Sequence, residues 1–189
     1  MITIAEPTPE RTADLVDLFG SDEVADRCWC MWFIVPVKAY HEAGHEGNQA
    51  ALVGLMDTDP HPVGLIAYDE NRPVGWCAVG PRDRFTRMLK APTLRHRDKT
   101  EDATTWLVPC FFIRGDARGR GVASALLEGA VELARRRGAN AIEGFPLAGD
   151  RRRSGPDLQV GVEPLFAACG FEPVHRPSDN RVIMRRELG

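Results

Sequence analysis

No stretch of the sequence approaches the run of about 20 apolar residues that a membrane-spanning helix requires, so no membrane partner is expected. The opening MITIAEPTPERTADL lacks a basic segment followed by an apolar one, and no secretory leader is expected from it. There is no internal repeat and no low-complexity tract, which removes solenoids and extended tails from consideration. Positive charge is not in excess: 24 Lys and Arg face 27 Asp and Glu, for a formal net charge of −3. The arginine clusters also lack interleaved aromatics, so nucleic acid is not an expected partner. The five cysteines, at 28, 30, 77, 110 and 169, are an odd number without a leader, and they read as reduced thiols of a cytoplasmic protein. Inside a cell Arg114-Gly115-Asp116 meets no extracellular receptor, so that tripeptide is not taken as an adhesion signal. Two familiar phosphate loops are missing as well. There is no GxxxxGK[ST], and no GxGxxG with an acidic residue at the right distance.

What is present is one domain's worth of chain, 189 residues, 43% hydrophobic and 27% charged, which suits a globular fold with a sizeable core. ITIAE (2–6) reads as a short strand. PTPERTADLVDLFG reads as a helix with Thr8 as N-cap, Pro9 at the first position and Gly20 as its stop. Residues 21–47 read as irregular, and GNQAALVGLMD (47–57) as a short helix. HPVGLIAYDENRPVGWCAVGPR (61–82) reads as two strands around a turn at Glu70, Asn71 and Arg72. Residues 83–103 are charged and weakly patterned. TTWLVPCFFI (104–113) reads as a central strand, with Pro109 demanding a bulge or a missing partner, because it cannot donate to a ladder. A helix follows over about 119–137, with Val122, Leu126, Ala130 and Leu133 at helical spacing, a Glu132–Arg136 pair and Gly138 as stop. NAIEGFP is a further strand, 158–170 a short helix with Pro164 in its first turn, and FEPVHR and RVIMRREL two closing strands. This order implies an α/β sandwich with at least one parallel pair.

The junction at 114–123 carries the chemistry. A helix N-terminus offers unpaired N–H groups and a partial positive charge, and glycines let a ligand's oxygens approach the backbone. Strand, glycine-rich turn and helix together make an anion cradle, with Arg114, Arg118 and Arg120 adding full charges. RGRGVA (118–123) matches [RQ]-x-x-G-x-[GA], and here the chain resembles the GNAT superfamily of CoA-dependent N-acyltransferases. LVPCFFI is similar to that family's fourth strand, NAIEGFP to its fifth, LFAACGFEPV to its late helix and GF turn, and GLIAYDENRPVGWCAVGPR to its second and third strands. Together these cover most of residues 61–189.

The resemblance implies a GNAT-type α/β fold: a mixed, mostly antiparallel sheet with a splayed parallel pair of strands 4 and 5, flanked by helices. It implies a single domain with a variable acceptor-side segment (1–60) and a core with the cofactor site (61–189). Acetyl-CoA is the implied cosubstrate, with no metal. Its pyrophosphate would lie on the amides of Arg118, Gly119, Arg120, Gly121, Val122 and Ala123, and its thioester carbonyl near the amides of Phe112 and Ile113. Arg151, Arg152 and Arg153 are further candidates for the nucleotide phosphate. The implied reaction is direct attack by a small-molecule primary amine, helped by proximity, by an oxyanion donor on strand four and by a base. A protein or peptide acceptor and a non-catalytic acyl-CoA sensor are the alternatives. The sensor is motivated by Phe166, which stands where the family commonly has the tyrosine that protonates the departing thiolate. A thiol of pKa about 8.5 leaves with modest assistance, so that loss does not forbid transfer.

Glu143, on strand five beside the splay, is the nominated base. His41 and His45 are weaker nominations in the acceptor region, Cys169 as a substitute acid and Cys110 as a covalent acyl carrier, each with an ordinary surface or core role as its competitor. The segment CWCMWF (28–33) is left over by the cofactor motif. Trp29, Trp32 and Phe33 are candidate acceptor-binding residues, with alternate side chains expected to pack inward. Zinc on Cys28, Cys30, His41 and His45 is disfavoured, because only one residue separates the cysteines. Monomer and homodimer both remain open.

Overall fold

A computed structural model of the chain describes residues 1–149 and 159–189. Seven strands form one sheet: β1 (Ile2–Ala5), β2 (Gly64–Asp69), β3 (Arg72–Pro81), β4 (Thr105–Ile113), β5 (Ala141–Gly144), β6 (Glu172–Ser178) and β7 (Arg181–Glu187). Their order is β1-β2-β3-β4-β5-β7-β6. All neighbours are antiparallel except β4 and β5. The helices are α1 (Thr12–Phe19), α2 (Glu23–Cys28), α3 (Val37–Thr58), α4 (Thr86–Leu89), α5 (Val122–Arg136) and α6 (Glu163–Ala168).

The sheet divides the core in two. On one face α5 lays Val122, Leu126, Ala130 and Leu133 over Leu65, Cys77 and Val108. On the other, Leu15, Phe19, Trp29 and Met31 cover Ile66, Trp76 and Phe112. This is the two-sided burial expected of a central sheet. Along β4 the alternation changes phase at Pro109. Trp106 and Val108 face α5, as does Phe111, whereas Leu107 and Cys110 face the other side. Ala78 pairs with Cys110 but Gly80 with Leu107, so one extra β4 residue sits between them. That is a bulge at the residue that has no N–H to give. The parallel pairing of β4 with β5 ends at Val108 opposite Gly144, leaving the second half of β4 without a neighbour on that side.

Four expectations need correction. Residues 21–47 are mostly helical: α2, a 3-10 turn at Met31–Phe33 and the first segment of α3, whose second segment contains the expected helix at 47–57. At Gly44 (φ 61, ψ −162) the backbone leaves the helical region, so α3 is two helical segments joined at a kink. Thr8 makes no side-chain cap, and Pro9–Arg11 form a 3-10 turn before α1. Helix α5 begins at Val122 and not at 119, because Gly119 (φ 73) and Gly121 (φ 79) are left-handed. Within it Glu132 pairs with Arg135 at 3.1 Å, while Arg136 reaches Glu6.

Candidate active site

The free edge of β4 is the floor of the site. The Arg114 N–H donates to the Val74 carbonyl of β3 at 3.0 Å. Alternate residues of an antiparallel ladder point their amides the same way, so Phe112 and Cys110 also face β3, in register with Trp76 and Ala78. The amides of Phe111 and Ile113 therefore point to the open side. Of the two amides expected near the thioester carbonyl, that of Ile113 lies on the open edge and that of Phe112 faces the ladder; the other open-edge amide is that of Phe111. This parity is set by the bulge, which sequence reading cannot phase.

A cavity of about 620 Å³ follows this edge, lined by Phe111, Phe112, Ile113, Arg118, Gly119 and Ala123 on one side and by Gln159, Gly161, Val162 and Leu165 on the other. It runs into a second hollow of about 290 Å³ at Gly119, Gly121, Val122, Ala123 and Ser124. A Cβ built on Gly119 or Gly121 meets nothing within 4 Å, so space stands open above both. The first turn of α5 has no acidic residue. Left-handed glycines, exposed amides and open space at a 15-residue helix fit an anion. The expected arginine charges are divided differently. Arg114 is held by Asp17 at 2.6 Å, and Arg120 by Asp69. Arg118, whose Nε donates to the Ile113 carbonyl at 3.2 Å, has no carboxylate partner among the described residues and stays at the cavity. Arg151, Arg152 and Arg153 lie outside the described residues.

A third hollow, of about 770 Å³, adjoins the slot and shares Val24 and Gln159 with it. Cys28, Trp32, Phe33, Tyr40, Arg87, Met88, Lys90, Phe145 and Arg181 are among its walls. Between its walls at Cys28 and Trp32 the chain makes an unusual turn after α2: Trp29 (φ 43) and Cys30 (φ 56) are both left-handed without being glycine. Such residues cost about 1–2 kcal/mol each and persist only where packing over-determines them. Here Trp29 is 1% exposed and edge-on to Phe19 at 4.9 Å, and Trp76 Nε1 donates to Cys30 Sγ at 3.1 Å. Trp29 is thus an anchor in the core and does not line the hollow; Trp32 and Phe33 do. Burial, then the Cys28 thiol, pushes Tyr40 up to about 12, and burial followed by Cys30 pushes Cys28 up to about 11. Both keep their protons at neutral pH.

Glu143 is placed apart from both cavities. It is 5% exposed, and its carboxylate accepts from Arg82 Nη1 at 2.8 Å and from Arg185 Nη1 at 2.9 Å. Both carboxylate oxygens are thus committed to guanidinium groups, and the side chain faces Arg97, His96 and His175 instead of the slot. Asp22 was missed. It lines the slot, its Oδ1 caps α2 through the Val24 and Ala25 amides at 3.0 Å, and its Oδ2 has no partner among the described residues. The run SDEVAD carried the cap signature that would have located it. Phe166 is fully buried where β4 and β5 part, edge-on to Phe111 and Phe171. A Cβ on Gly144 would stand 2.2 Å from its ring. Cys110 and Cys169 are buried. His45 Nδ1 lies 2.8 Å from the Asp26 carbonyl and His41 packs on Trp32 and Tyr40. Among the described residues no three His, Cys, Asp or Glu gather as metal ligands.

A mixed sheet opened between two parallel strands, with a glycine turn and helix at the opening, defines the fold of an N-acetyltransferase. Residues 22–149 match the Acetyltransferase (GNAT) family model, and the chain belongs to that family of acyltransferases. The fold is similar to that of an acetyltransferase from Thermus thermophilus, at 16% identity and TM-score 0.57, with 100% of this chain and 97% of that one covered. It is also similar to PaiA N-acetyltransferase of Thermoplasma acidophilum in complex with coenzyme A, at 12% identity and TM-score 0.57, with 99% of each chain covered. Ribosomal-protein-alanine N-acetyltransferase of Brucella melitensis is a third, at 17% identity and TM-score 0.56, with 98% of this chain and 99% of that chain covered. Among curated proteins none matches the sequence. No helix among the described residues is long and apolar enough to cross a membrane.

Proposed function

We propose that the protein transfers an acetyl group from acetyl-CoA to the primary amine of a small molecule by direct attack. The observation that carries this is the junction of the two larger cavities, one along the unpaired edge of β4 and one walled by Trp32 and Phe33, at Val24 and Gln159. Acetyl-CoA, when bound, supplies an activated acyl carbon and a thiol leaving group. The amides at Gly119, Gly121, Val122 and Ala123, with the Arg118 guanidinium, hold its pyrophosphate. The open-edge amides of Phe111 and Ile113 donate to the acyl oxygen, where negative charge grows during attack. Asp22 takes the amine proton, directly or through a water, since its Oδ2 is uncommitted at the slot wall. Phe166 offers no proton, so thiolate departure relies on the low basicity of the thiol itself.

A hollow of about 770 Å³ with Phe33, Met88, Phe145 and Val160 among its walls has room for the apolar part of a small amine, which supports the small-molecule reading. Release of free thiol from acetyl-CoA over a panel of small amines and N-terminal peptides tests the reading. Turnover confined to peptides would refute it, as would binding of acetyl-CoA without any release.

A further inference from the structure

Arg87 stands out among the arginines built into the fold. Arg82, Arg84, Arg97, Arg114 and Arg185 have side chains at most 16% exposed, and each holds a carboxylate. Arg87 holds none among the described residues, yet it is fixed. Its guanidinium lies 3.4 Å over the Trp32 ring, and Nη1 donates to the Trp32 carbonyl at 2.8 Å. Trp32 is itself braced edge-on by Tyr40 at 5.2 Å. The indole covers one face of the guanidinium and leaves the in-plane fork of N–H groups, which is the part that grips planar anions.

Arg87 belongs to the wall of the acceptor hollow together with Lys90, and no Asp or Glu lines the hollow among the described residues. An amine with no other charge would meet Arg87 and Lys90 as a like charge, whereas an anionic group on the acceptor would complement them. We infer, resting on the acetyltransferase reading above, that the acceptor amine also carries an anionic oxygen group, a carboxylate or a phosphate, and that Arg87 is the specificity residue that grips it. The remaining walls, Phe33, Met88, Phe145 and Val160, take an apolar spacer between the two ends.

The test uses matched amines: 4-(aminomethyl)benzoate against 4-(aminomethyl)benzamide, phenylalanine against phenylalaninamide, and O-phosphoethanolamine against ethanolamine. The anionic member should be favoured about ten- to hundredfold in kcat/KM, as a charge-assisted bond provides. Arg87→Met should erase that ratio, while Arg87→Lys keeps part of it through charge without the fork. The phosphate and carboxylate arms, compared with each other, identify the head group. Calorimetry of the same pairs on the CoA-loaded protein reads the preference independently of turnover. Anion-selective binding without release of free thiol would overturn the transfer reading and sustain this inference. Equal binding of charged and neutral members, or a ratio unchanged in a folded Arg87→Met, would overturn the inference even if transfer occurs.

Discussion

The sharpest perturbation available is at Gly121, because the cost to the protein and the cost to the ligand separate there. Its φ is 79, so any side chain incurs left-handed strain of about 1 kcal/mol. A Cβ meets no protein atom within 4 Å, so Gly121→Ala adds no clash to that strain. Gly121→Glu carries the same strain. Its charge at the N-terminus of α5 is favourable to the empty protein by about 0.3–1 kcal/mol. Toward a bound pyrophosphate the sign reverses. One negative charge about 5 Å from a doubly charged group, at an effective dielectric of about 40–80, costs about 2–3 kcal/mol. Acetyl-CoA affinity of Gly121→Glu should therefore fall about 30- to 150-fold below that of Gly121→Ala, with the glutamate variant equal or higher in Tm. Isothermal titration and thermal melts on the three proteins provide both quantities. Affinities of the alanine and glutamate variants within twofold of each other would refute the assignment of the pyrophosphate to this turn.

Other outcomes follow from the buried ion network and the opening of the sheet. Glu143→Gln should cost about 3 kcal/mol, because it strips a buried partner from Arg82 and Arg185, and lower Tm by about 6–12 °C. kcat/KM should survive in that variant and fall about 100-fold or more in Asp22→Asn; loss of activity with unchanged Tm in Glu143→Gln would restore Glu143 as the base. Gly144→Ala drives a Cβ into the Phe166 ring and should destabilise the fold by about 1–3 kcal/mol, with Phe166→Leu recovering part of the loss in the double variant; urea unfolding measures it. Burial pushes the Asp59 carboxyl up, but the Arg84 bonds and the His61 amide outweigh it and hold it below the usual carboxylate range. A depressed folded value means its contribution is complete above the ordinary value of about 3.9 and is lost as pH falls through the folded one. Urea midpoints at pH 7 and pH 3 should thus differ less in Asp59→Asn than in the parent chain.

What was legible in the sequence was local. RGRGVA specified the turn because a left-handed glycine and a helix start are properties of neighbouring residues. Pro109 announced the bulge because its missing N–H is intrinsic to it, and the apolar spacing of α5 reported the face it buries. The hairpin of β2 and β3 was readable for the same reason, with Glu70 at φ 56 in its turn. The tertiary structure alone decided which charges are spent and which are left over. Glu143 is bound by Arg82, 61 positions away, and Arg120 by Asp69, 51 positions away. The Arg87 fork is set by a carbonyl 55 positions away, in a stretch whose sequence pattern was weak. An ion pair depends on where two distant segments meet, and neither segment's composition encodes the other's position. The sequence by itself therefore determined the glycine turn and helix start that the proposed docking of acetyl-CoA uses. Long-range packing decided which arginines hold carboxylates and which, like Arg87, do not among the described residues, and which way each aromatic of CWCMWF would turn.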